Sequence, residues 1–124
     1  MSLNYLNFDY AEDTEGVGTL EAMASTWSHQ VLAVQAEIAR VLGWCYATLR
    51  QRGPLEEGGD WDYDLQGMQE FTTPETIQYD EATRQLSVQV GPAGRPRHTV
   101  TVAITGSSEF CSEFRRHFAL DDSV

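Results

Sequence analysis

Between Ser28 and Arg52 the apolar residues Val31, Val34, Ile38, Val41, Leu42, Cys45 and Leu49 recur at intervals of three and four, which is the period of one helical face. Ser28 is a residue type that caps a first helical turn. Arg50 and Arg52 suit the negative end of a helix, and Gly53-Pro54 cannot continue one. The spacing predicts one long helix over about 28–52, roughly 37 Å at ~1.5 Å per residue. A rod of that length in a chain this size must lie across a sheet or against another chain.

Elsewhere the period is two. Leu6, Phe8 and Tyr10 alternate with polar positions over Asn4–Tyr10, and Trp61, Tyr63, Leu65 and Phe71 share one side of Trp61–Thr72. TIQY and QLSVQV flank the polar DEATR as a hairpin, and the β-branched run His98–Thr105 predicts a central strand. Residues 19–26 fit either period; a strand is favoured, because a helix starting at Thr19 would run past thirty residues. Ser107 then caps a last helix, about 107–119, with Phe110, Cys111, Phe114 and Phe118 on one stripe. The pattern predicts a single α+β domain over 1–124 with frayed tails: a mostly antiparallel sheet of five to six strands, both helices packed on one face.

At 124 residues the chain can build a core without staples, and 41% hydrophobic with 22% charged residues is a globular balance. No apolar run reaches the ~18 residues of a membrane span, and the N-terminus lacks a signal-peptide pattern, so the expected location is cytoplasmic. All eight basic residues are Arg, which fits a GC-rich bacterial genome. The net charge of −11 is uneven. Residues 1–81 carry fifteen acids against three Arg, while residues 82–124 carry four acids against five. Such a field disfavours nucleic acid and anionic lipid and permits a basic protein partner, with oligomeric state open.

Candidate chemistry is sparse. Asp60, Asp62 and Asp64 resemble the start of a calcium loop, but Leu65 and Phe71 stand where its Gly and bidentate Glu belong. A second acidic group comprises Asp9, Glu12, Asp13 and Glu15. Should the loops at 9–15 and 56–64 meet, Glu12, Asp13, Glu15, Glu56, Glu57, Asp60, Asp62 and Asp64 could face a basic partner. The metal alternative uses Asp9, Asp60 and Asp62. Cys45 and Cys111 are too far apart in sequence for a CxxC pair and fall on apolar helix faces, where burial is expected. His98 near Cys111 is the one thiol–imidazole pairing that could activate a nucleophile, and aromatic neighbours oppose it. Trp27, Trp44, Tyr46, Trp61 and Tyr63 fit core lining better than a ligand groove. No Gly-rich phosphate loop, GxSxG or HExxH occurs, and no cofactor is implied. The leading expectation is a non-enzymatic acidic interaction module, of inhibitor or immunity type. The alternative is a small divalent-cation-dependent hydrolase or sensor using the same two loops.

Overall fold

Side chains along Gly18–Trp27 (β2) alternate without a break: Gly18, Leu20, Ala22, Ala24 and Thr26 are buried, and Glu21, Met23, Ser25 and Trp27 are exposed. That is the signature of an antiparallel strand with one covered face. The structure, a computed structural model that describes residues 2–120, pairs β2 antiparallel with the short Asp9–Glu12 (β1) on one side and with Arg97–Gly106 (β6) on the other. Trp61–Glu70 (β3) pairs antiparallel with β6 and closes the order β1-β2-β6-β3. The residues expected at 19–26 as a strand are therefore one, and the fold is α+β.

Both helices lie on the same face. Val31–Ala47 (α1) presents Val34, Ile38, Val41 and Cys45, and Ser108–His117 (α2) presents Phe110, Cys111 and Phe114; all join one core with Leu20, Val102, Ile104 and Trp61. The Ser107 hydroxyl accepts from Phe110 N at 3.2 Å and caps α2, as its position predicts. Gly18 allows a close approach of β1 and α2 to β2. A Cβ there would sit 2.6 Å from the Tyr10 ring and 2.7 Å from Cys111 Sγ.

Three expectations about elements are corrected. The long helix does not run 28–52: Ser28–Gln30 is a 3-10 turn, and α1 ends at Ala47. Thr48 Oγ1 donates back to Cys45 O, and Leu49 takes a left-handed φ of 61° and is 91% exposed. The chain is then drawn alongside β3, where Gln51 O accepts from Asp60 N at 2.7 Å and Gly53 N donates to Trp61 O at 2.8 Å. Ser28 is not the helix cap either, since its Oγ lies 2.9 Å from His98 Nε2.

The first strand is displaced. Leu6 and Phe8 are buried as their alternation implies, yet only Asp9–Glu12 pairs with a neighbour. The amides before it have another partner. Glu37, 2% exposed on α1, accepts from Asn4 N through Oε2 and from Tyr5 N and Leu6 N through Oε1, at 2.8–3.0 Å. A carboxylate that receives three backbone donors satisfies both its own charge and the chain's amides.

The six strands also do not form one sheet. Among the described residues Glu75–Asp80 (β4) and Gln85–Val90 (β5) pair with each other and with no other strand. They continue the β3–β6 ladder through Gly94 N to Thr72 O and Gly91 N to Pro74 O, both 2.8 Å, as an arm beyond the end of the sheet. Every residue from Asp64 to Val90 is exposed. The expected fraying of 121–124 lies outside the described residues.

Candidate functional site

The strand register decides where the acidic loops lie. Glu12, Gly18, Gly106 and Trp61 form one row across the sheet, so the turn after β1 and the loop before β3 emerge at the same end. They leave from opposite edges, about 14 Å apart at ~4.8 Å per strand. Between them starts α2, where Ser107 N donates to Asp60 O at 2.9 Å. Glu109 in its first turn is 85% exposed.

Each carboxylate at this end has a distinct local position. Asp13 Oδ1 accepts from Glu15 N and Val17 N, an Asx turn that closes the first loop with Gly16 at φ 85°. Asp60 Oδ2 accepts from Gln51 N at 2.9 Å and ties off the loop that holds Glu56 and Glu57. Asp62 Oδ1 accepts from Arg52 Nε at 3.1 Å, with that guanidinium also over the Tyr63 ring. Asp64 Oδ2 accepts from Gln66 Nε2. Glu12, Glu15, Glu56 and Glu57 are exposed. The nearby cations Arg50 and Arg52 are themselves paired, Arg50 with Glu113 at 2.9 Å and Glu109 at 3.8 Å.

Asp9, Asp60 and Asp62 are not brought together. Asp9 is on the β1 edge, whereas the other two begin the β3 edge. Among the described residues no group of three or more His, Cys, Asp or Glu is placed to hold a metal ion.

The two thiols are fully buried, and burial is the chief reason each is hard to ionise: the pKa of Cys45 is pushed up to about 12 and that of Cys111 to about 11. His98 does not reach Cys111; it lies beside Ser28 at the far end of the sheet. A Ser–His pair is a potential nucleophile and base, but among the described residues nothing hydrogen-bonds to the other ring nitrogen to orient it. His117 stacks on Trp44 with centroids 5.1 Å apart, and Trp44 itself packs against Phe110, Phe114 and Phe118. Trp61 stacks on Phe110, and its buried Nε1 finds no hydrogen-bond partner among the described residues.

A second feature was not foreseen from the sequence. Successive rows of the helix-side face run Leu20–Ile104–Tyr63, Ala22–Val102–Leu65, Ala24–Val100–Gly67 and Thr26–His98–Gln69, covered at the β2 edge and exposed from Leu65 onward along β3. The side chains shrink toward Ala24 and Gly67, and beneath the first turns of α1 this leaves a groove of about 330 Å³, lined also by Val31, Val34, Gln35 and Ile38. A Cβ added at Gly67 would meet nothing within 4 Å. The groove opens at the root of the β4–β5 arm.

Neither a protein-family model, nor a curated protein, nor a solved structure matches this chain.

Proposed function

We propose that the chain is a non-enzymatic interaction module that offers the acidic end of its sheet to a basic protein partner, in the manner of an inhibitor or immunity protein. The observation that carries this reading is the row Glu12–Gly18–Gly106–Trp61, which sends both acidic loops out at one end of a rigid sheet. Glu12, Glu15, Glu56 and Glu57 lie exposed there, with Glu109 between the loops. Asp13, Asp60 and Asp62 have another role in the same arrangement: their hydrogen bonds shape the loops that carry the exposed acids. A net charge of −11 adds long-range attraction for a cationic surface, which raises encounter rates and weakens with salt.

The test is capture on the immobilised chain at low and high salt, with Glu15→Lys/Glu56→Lys/Glu57→Lys as the comparison. A specific basic protein retained at low salt by the wild type and not by the triple variant supports the reading. Capture of the same proteins by both chains would refute it.

A further inference from the structure

Within β4 and β5 the alternation sorts Ile77, Tyr79, Leu86, Val88 and Val90 to one face and Thr76, Gln78, Gln85, Ser87 and Gln89 to the other. A strand face of that composition belongs in a core. Here all five apolar side chains are 52–67% exposed, and among the described residues no third strand or helix lies beneath them. Two-stranded ribbons without such support are marginal in water. The same chain also holds an apolar groove, at the root of the arm, that none of its own described side chains fills.

We propose that two copies of the chain exchange arms, the apolar face of each β4–β5 ribbon lying over the partner's groove between α1 and the sheet. The groove opens where the arm begins, so a two-fold axis beside the arms sets each over the other's groove, and one molecule supplies both halves of the contact. Charge favours a second copy over a basic partner at this surface. Residues 65–100 hold four acids and three arginines, so nearly all of the −11 lies elsewhere and two like-charged chains can meet here without strong repulsion. Area is adequate too. Each arm strand is roughly 20 Å long. Apolar side chains of this size remove on the order of 100 Å² each from water, so the five of one arm together with a groove give roughly 600 Å² per partner, the lower end of the range for specific interfaces. This dimer is independent of the acidic end, which lies at the opposite end of the sheet.

Sedimentation velocity on the full chain across a concentration series tests it. The wild type is expected to be a dimer, Ile77→Asp/Val88→Asp on the arm a monomer, and Gly67→Leu, which fills the groove, a monomer as well. Each substitution should weaken association at least about a hundredfold. Gly67→Leu adds its side chain in open space, and the arm lies outside the core, so near-ultraviolet circular dichroism should stay native in both. A wild-type monomer at the highest soluble concentration would overturn the proposal. So would a dimer that survives either substitution. Tyr79→Cys/Gln35→Cys gives a check that does not depend on losing a contact: the arm exchange predicts an intermolecular disulfide on mild oxidation, and a chain that cross-links only within itself contradicts it.

Discussion

Glu37 Oε1 accepts the backbone N–H of Leu6 at 2.8 Å, thirty-one residues away, inside the core between α1 and the N-terminal segment. Tyr5 N and Asn4 N complete the set, and Arg40, one helical turn on, lies 3.6 Å from the same carboxylate. Without that carboxylate the three amides have no strand ladder to return to. Glu37→Ala is expected to cost about 3 kcal/mol, since it leaves the buried Leu6 donor and the part-buried Tyr5 and Asn4 donors without their acceptor. Glu37→Gln, which keeps one acceptor oxygen, should lose less. Chemical denaturation measures both, and limited proteolysis should cut ahead of Asp9 first in the alanine variant.

Trp61 is a different case, because its indole N–H is buried with no acceptor among the described residues while its ring stacks on Phe110. Trp61→Phe keeps most of the apolar contact and removes the unsatisfied donor, so its stability should fall within about 1 kcal/mol of wild type. Trp61→Ala should cost about 3–5 kcal/mol. Equal losses from the two would contradict the packing described.

The glycines separate in the same way. Gly18→Ala drives a methyl group against Tyr10 and Cys111 and should lower the melting temperature by several degrees; Gly67→Ala enters open space on a strand and should leave it unchanged or raise it. Thermal denaturation of the pair distinguishes a required close approach from a glycine that only opens the groove.

Both thiols have folded-state pKa values above the ordinary 9, to about 12 for Cys45 and about 11 for Cys111, chiefly through burial. A raised folded pKa means the native state holds its proton more tightly than the unfolded chain. The associated stability is therefore fully present below pH ~9 and is lost as the pH rises through about 11 to 12. Alkaline denaturation should begin in that window, and stability should fall less steeply across it in Cys45→Ala, which lacks one of the two titrating thiols. At pH 8 neither thiol should react with an aromatic disulfide reagent until the protein unfolds.

Much of the fold was legible because it depends on local period. Val34, Ile38, Val41 and Cys45 face the core as their spacing requires, and β2, β5 and β6 begin and end near their alternating runs. What escaped depends on pairing between distant segments. Glu37 resembles any polar residue on a helix until the N-terminal amides are placed over it. The groove exists only because β2 and β3 bring Ala24 and Gly67 into one row on either side of Val100, and nothing local to either residue marks that. The hairpin at 76–90 was recognisable, but its standing clear of the sheet follows from the 72–74 and 91–94 connection. Of the acidic candidates, Asp13, Asp60 and Asp62 serve loop geometry, while Glu15, Glu56 and Glu57 carry exposed charge; composition alone could not divide them.

Under the proposed function, recognition falls at the end of the sheet where β1 turns and β3 begins. The most direct measurement is the salt dependence of binding between the chain and a basic protein retained on it at low salt, for the wild type and for Glu15→Lys/Glu56→Lys/Glu57→Lys. The wild-type affinity is expected to fall steadily with added salt, and the triple variant to bind at least about tenfold more weakly with a flatter dependence, mostly through a slower association rate. Matching affinities and matching salt slopes for the two chains would place recognition elsewhere on the molecule.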